Sequence, residues 1–188
     1  MTRRRAGRNG LARALASGLA VVVLVAAACG TTSTPGPSAT TDPSGSNRPK
    51  PTHWPGTAVL AVIKLGGADG EIAKAGKDFA AAAAASDVAA LWGAADGLVP
   101  VIEDLIPSVE PLEEYSLTAE LGKDLRKAYP LMLEGARDLR DGIAAGNAQQ
   151  VEEGSAKLAE GLAAYGPARS ILADLVPQAL LQQRNFTL

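Results

Sequence analysis

Apolar residues recur at helical spacing over most of the chain from about residue 57 onward. They step alternately by three and four positions through 88–105, 121–139 and 151–165. Residues spaced in this way lie on one side of a helix and form the seam along which neighbouring helices pack at shallow angles. Four helices are therefore predicted near 58–85, 87–106, 117–145 and 148–166. Several seam positions hold small residues that would allow close approach: Ala95, Ala128, Gly135 and Ser155.

The helical part also matches itself when it is shifted by 60 residues. The matched features include two prolines and two turns: Pro107 with Pro167, and 84–87 with 144–147. Self-similarity without gaps indicates duplication of one supersecondary unit. The sequence therefore predicts an all-α fold, an up-down-up-down four-helix bundle built from two duplicated hairpins at about 57–107 and 117–167.

Each predicted hairpin needs a tight turn between its helices. In the second hairpin, Gly146 can adopt the left-handed conformation that ends a helix, and Asn147 can cap the helix that follows. In the first hairpin, Ser86 or Asp87 is the corresponding capping residue. The alternative is one unbroken helix from about 71 to 105, because Ser and Asp are tolerated inside helices. The alignment of the two turns favours the hairpin.

A further apolar stretch follows the predicted fourth helix. Pro167 is predicted to end that helix, and residues 168–182 are predicted to form a C-terminal helical tail that Pro177 interrupts. We expect this tail to fold back over one end of the bundle. The alternative is an exposed helix that binds a partner.

The N-terminal region has a different pattern. Five arginines and no acidic residue precede or flank an apolar run that ends in three alanines at 26–28, and Cys29, the only cysteine of the chain, follows directly. A basic head, an apolar middle and a small-residue cleavage site are typical of a secretory signal peptide, here 1–28. An uncleaved membrane anchor is the alternative, although Arg13 leaves an uninterrupted apolar run that is short for a membrane-spanning helix.

A cysteine directly after such a cleavage site resembles the signal of bacterial lipoproteins. The resemblance implies that Cys29 carries lipid, such as palmitate, and that the protein is held at the extracytoplasmic face of the cell membrane. Ala26 departs from the usual pattern, which has leucine three residues before the cysteine. Residues 29–56 are rich in Thr, Ser, Pro and Gly. They are predicted to form a disordered tether between the lipid and a helical-bundle domain at 57–188.

Charge excludes one class of partner. Without residues 1–28 the chain keeps 13 basic and 20 acidic residues, a formal net charge of −7. Nucleic-acid binding needs a positive surface, so no nucleic-acid partner is expected. At the end of the tether, we interpret Trp54 as packing against the helical domain and His53 as solvated. A docking pair formed by these two residues is the alternative.

Few catalytic mechanisms are open to this composition. His53 is the single histidine and lies in the tether, so the helical domain lacks the residues of a Ser-His or Cys-His nucleophile and of a zinc site. We therefore expect neither enzyme activity nor a cofactor. Carboxylates gather at the crossover between the two hairpins and are candidate ligands for a hard cation such as calcium: Glu103, Asp104, Glu110, Glu113 and Glu114. A solvated acidic loop is the interpretation that we favour for them.

Two functional hypotheses follow from these patterns. The first is a non-enzymatic interaction or scaffold module that binds an unknown protein partner and is anchored to the membrane through Cys29. The second is a lipoprotein that binds a small solute or a cation, either at the acidic crossover or between the hairpins.

Overall fold

The computed structural model describes residues 54–186, and the protein is helical, without a strand, within that range. The elements are α1 (Gly56–Ala84), α2 (Val88–Leu105), a 3₁₀ turn (Ile106–Ser108), α3 (Glu110–Glu113), α4 (Ala119–Ala145) and α5 (Ala148–Phe186). The predicted signal peptide, the lipidation site Cys29, His53 and nearly all of the tether lie outside the described residues. None of the helices in 54–186 is long and apolar enough to cross a membrane.

The predicted all-α class is confirmed, and the first three long helices begin and end close to their predicted positions. The chain leaves α1 at Ala85 and enters α2 at Val88, so the alternative of one unbroken helix from 71 to 105 is wrong. Asp87 is the N-cap of α2, because its carboxylate accepts hydrogen bonds from the backbone amides of Ala89 and Ala90, at 3.1 and 3.0 Å. Such a cap satisfies amides that have no partner within the helix.

The two tight turns have the same geometry. Ser86 and Gly146 both adopt the left-handed conformation, with φ of 53° and 67°. In each turn the left-handed residue donates to the carbonyl three residues earlier, and the next residue donates to the carbonyl five residues before it. The four bonds are Ser86 to Ala83, Asp87 to Ala82, Gly146 to Ile143 and Asn147 to Gly142. This is the Schellman arrangement, and it occurs at positions that are 60 residues apart.

The long helices make their main contacts in four pairs: α1 with α2 and α5, and α4 with α2 and α5. Short turns make α1–α2 and α4–α5 antiparallel. The direction of α1 against α5 follows from two contacts, because Gly66 lies against Val176 and Gly76, further along α1, lies against the earlier Leu162. Ion pairs between Glu103 and Arg137 and between Asp96 and Arg140 likewise show that α2 and α4 are antiparallel.

The crossover between the hairpins covers the part of the core that α2 does not reach. Helix α2 has 18 residues and α1 has 29, so one end of the core would otherwise be open. Leu112 of α3 is fully buried there, and the Thr118 hydroxyl donates to the Leu112 carbonyl at 2.7 Å. Trp54 is 3% exposed and its ring lies 6.1 Å from that of Tyr115. The prediction that Trp54 packs against the helical domain is therefore confirmed.

The fourth helix differs from its prediction. It does not end at Pro167, and the predicted tail at 168–182 does not fold back, because α5 continues to Phe186. Pro167 and Pro177 lie on its exposed side. Because proline has no N–H group, the carbonyls four residues earlier, at Ala163 and Ala173, have no helical donor, and these residues are exposed as well. Water can satisfy those carbonyls, so the prolines do not break the helix.

The buried side of α5 forms one seam that passes straight through Pro167. Its positions alternate by three and four residues from end to end: 151, 154, 158, 161, 165, 168, 172, 175 and 179. The sequence analysis placed Ser155 on this seam, but Ser155 is only half-buried and Gly154 holds the buried position. Because glycine has no apolar side chain, the apolar pattern did not distinguish Gly154 from Ser155 as the buried position.

Candidate functional site

Three carboxylates of the acidic crossover pair with basic side chains. Glu103 pairs with Arg137, Glu113 pairs with Arg126, and Asp104 accepts from the Lys64 ammonium at 3.0 Å. Each of these three carboxylates thus has a basic partner on another helix. Within residues 54–186 there is no group of three or more His, Cys, Asp or Glu side chains placed to hold a metal ion.

The remaining carboxylates of the crossover also stay apart. Glu110 and Glu114 are exposed. The hydrogen bond that Arg126 donates to Glu113 is the main cause that raises the pKa of Arg126, and the charge of Glu110 adds to it. That same hydrogen bond from Arg126 lowers the pKa of the Glu113 carboxyl. The geometry therefore favours the interpretation of a solvated acidic surface that ties the crossover to α4. Exposed pairs of this kind stabilise a fold only slightly.

A second polar group, which we call the Asp69 cluster, consists of Asp69, Tyr165 and Arg169. The Tyr165 hydroxyl donates to Asp69 Oδ1 at 2.9 Å, and Arg169 Nε donates to Asp69 Oδ2 at 3.1 Å. Asp69 lies in the middle of α1, whereas Tyr165 and Arg169 lie one turn apart on α5. One carboxylate therefore joins the first helix of the described chain to the last.

Tyr129 of α4 extends this cluster into the core. Its ring stacks on Tyr165 with 6.2 Å between the centroids, and the side chain is 1% exposed. Its hydroxyl is buried and has no hydrogen-bond partner among the described residues. Burial is the main cause that raises the pKa of Tyr129, and the nearby charge of Asp69 adds to it. Burial, followed by the neighbouring Tyr129, likewise raises the pKa of Tyr165, so both phenols stay protonated at neutral pH.

Only part of this arrangement was predictable from the sequence pattern. Tyr165 was placed on the seam of the fourth helix, but Asp69 and Arg169 were not singled out. Arg169 lies beyond Pro167, where the helix was predicted to end, so its position one turn after Tyr165 was not used. Asp69 stands among the glycines of α1, where no apolar pattern marks the side that faces α5.

No protein-family model, curated protein or solved structure matches this chain.

Proposed function

We propose that the protein is a lipid-anchored helical-bundle protein on the extracytoplasmic face of the cell membrane, and that it acts as a non-enzymatic interaction or scaffold module. The observation that carries this proposal is the order of features at the N-terminus. A basic head and an apolar run end in three alanines, and Cys29 follows them directly. In this proposal residues 1–28 are removed and Cys29 receives the lipid.

In the same proposal the helical domain is an up-down-up-down four-helix bundle that arose from two hairpins. The antiparallel contacts of α1 with α5 and of α2 with α4 support the topology. The identical hydrogen-bonding of the turns at Ser86 and Gly146 supports the duplication. Residues 29–56 would then act as a spacer that separates the bundle from the bilayer.

The surface of the bundle is consistent with contacts to another protein. Large apolar side chains stay at least 40% exposed at several places on it: Leu60, Trp92, Ile106, Leu117, Leu180 and Leu181. Tryptophan in particular is enriched among the residues that dominate the energy of protein interfaces. Most of the basic side chains within residues 54–186, by contrast, form ion pairs with carboxylates of the same chain.

Replacement of Cys29 tests the anchor. Cys29→Ala is expected to move the protein out of the membrane fraction or to leave it as an unprocessed precursor, because no thiol remains to accept lipid. Membrane fractionation and the intact mass of the purified protein measure these outcomes, and Ser33→Ala serves as the matched control. A Cys29→Ala protein with unchanged mature mass and unchanged membrane association would refute lipidation.

A calcium titration separates the interaction module from the cation-binding alternative. A ligand that binds only the folded state raises the midpoint of thermal unfolding, and the stabilisation grows with the logarithm of the ligand concentration above the dissociation constant. Because Glu103, Asp104 and Glu113 already have basic partners, we expect no such rise with calcium. A rise that disappears in Glu110→Gln/Glu114→Gln would instead support a cation site at the crossover.

A further inference from the structure

The two helices of the second hairpin pack more closely against each other than those of the first. Four glycines line the contact between α4 and α5, where the backbone of one helix touches the backbone of the other: Gly135, Gly142, Gly154 and Gly161. A Cβ atom on Gly142 would lie 2.9 Å from the Val151 amide nitrogen, and one on Gly161 would lie 2.6 Å from the Met132 amide nitrogen. On Gly135 and Gly154 it would be closer still to the backbone of the partner helix.

The first hairpin lacks this close contact. Sixty residues earlier, the four glycine positions hold larger residues: Ala75, Ala82, Ala94 and Val101. A Cβ added to a glycine of α1 or α2 would meet no backbone of another helix. On Gly66 and Gly76 it would contact only side chains. At four further positions it would have no heavy atom within 4 Å: Gly67, Gly70, Gly93 and Gly97. The contact between α4 and α5 is accordingly the most extensive between any two described helices.

Helix α1 also contains a group of glycines. Gly66, Gly67 and Gly70 lie within one stretch of it, and each glycine inside a helix costs about 1 kcal/mol relative to alanine. The turn that follows α1 holds Ser86 at φ 53°, where the equivalent turn has glycine. A non-glycine residue in this conformation costs roughly 1–2 kcal/mol. The glycine cost has a counterpart in α4, which holds Pro130 inside the helix, so the turn at Ser86 is the feature that weakens the first hairpin relative to the second.

We propose that the first hairpin, α1–α2, separates from the second hairpin, α4–α5, as a cooperative unit while α4–α5 stays helical. The hydrogen bonds of the Asp69 cluster stabilise the closed state, because they join the middle of α1 to α5. Regions held by fewer close contacts open before the whole protein unfolds. Opening exposes the apolar faces that the hairpins bury against each other, which gives an interaction module a surface that is hidden in the closed state.

Native-state hydrogen exchange of the full chain tests the proposal. The slowest amides of α1 and α2 are expected to exchange about tenfold or more faster than those of α4 and α5, through one shared opening. Equal rates for the slowest amides of all four helices would show a single cooperative unit and overturn the proposal. Faster exchange in α4–α5 than in α1–α2 would overturn it as well.

A seam variant supplies an independent thermodynamic test. Gly154→Ala disturbs a contact that persists when α1–α2 opens, so it affects only the global unfolding. It is expected to speed exchange of the slowest α4 and α5 amides and to leave the α1 and α2 amides unchanged. Tyr165→Phe removes a hydrogen bond that is lost both when α1–α2 opens and when the whole protein unfolds. It is therefore expected to speed exchange of the slowest amides of all four helices by the same factor, about fivefold. Acceleration of all amides by Gly154→Ala would contradict a separate opening.

A reversible cross-link completes the design. A Cβ on Gly66 would lie 3.6 Å from the Val176 Cβ, which falls within the range of disulfides. In a Cys29→Ala background, the oxidised Gly66→Cys/Val176→Cys protein is expected to exchange its α1 and α2 amides as slowly as those of α4 and α5. Reduction of the same protein is expected to restore the difference. If oxidation leaves the exchange of α1 and α2 unchanged, α1–α2 does not open away from α5.

Discussion

The contact between α4 and α5 makes the sharpest prediction, since a single methyl group should disturb it. Gly154 lies so close to Leu139 that an added Cβ would be nearer to the Leu139 amide nitrogen than real Cβ contacts ever are. The atom in the way belongs to the backbone, so a side-chain rotation does not relieve the clash. Helices α4 and α5 must move apart to accommodate the methyl group, and the other seam contacts lengthen with them.

The expected magnitude follows from two opposing effects. Overpacking of a tight core costs roughly 1–3 kcal/mol, and a rigid backbone obstacle belongs at the upper end of that range. Alanine in place of glycine inside a helix returns about 1 kcal/mol. Gly154→Ala should therefore lower the free energy of unfolding by about 2 kcal/mol. For a helical domain of this size, that corresponds to a fall of roughly 6–10 °C in the midpoint of thermal unfolding.

Gly93→Ala is the matched control. Gly93 lies inside α2, is exposed and has no heavy atom within 4 Å of the position where a Cβ would stand. The same chemical change should there raise the free energy of unfolding by about 1 kcal/mol. Thermal and urea unfolding, followed by far-ultraviolet circular dichroism, measure both variants. Stabilisation by Gly154→Ala, or equal effects of the two variants, would refute the close backbone contact.

Three further predictions concern single positions. Ser86→Gly should stabilise the protein by about 0.5–1 kcal/mol in urea unfolding, because it removes a left-handed non-glycine residue; a loss would mean that the turn has another geometry. Tyr129→Phe removes a buried hydroxyl without a hydrogen-bond partner and should leave the free energy of unfolding unchanged or raise it. Tyr165→Phe removes the hydrogen bond to Asp69 and should lower the free energy of unfolding by about 1 kcal/mol. Equal effects of the two variants would contradict the hydrogen bond between Tyr165 and Asp69. The pKa of Glu113 is lowered by Arg126, so its small contribution is present above the ordinary value of 4.5 and is lost as the pH falls through the lowered pKa. Arg126→Gln should therefore reduce the acid-side slope of stability against pH, and an unchanged slope would exclude this pair as its cause.

The sequence determined the helices and their turns. The alternation of apolar residues by three and four predicted the positions of α2, α4 and the first half of α5, because a helix must place its apolar residues on one side to bury them. Gly146 and Asp87 are suited to their turn conformations by their own chemistry, so the turns were also predictable. The apolar run before Cys29 carries the proposal of a lipid anchor in the same local way.

The tertiary structure decided the features that depend on what lies opposite each residue. The prolines of α5 interrupt no helix, because they face water rather than a neighbouring helix. Gly154 and Gly161 became contact residues only where a second backbone approached them. The pairing of Asp69 with Tyr165 and Arg169 joins residues about 100 positions apart, and the basic partners of Glu103 and Glu113 lie on α4. The local sequence pattern predicts which side of a helix is buried. The residue that each side chain contacts on another helix depends on how all the helices pack together.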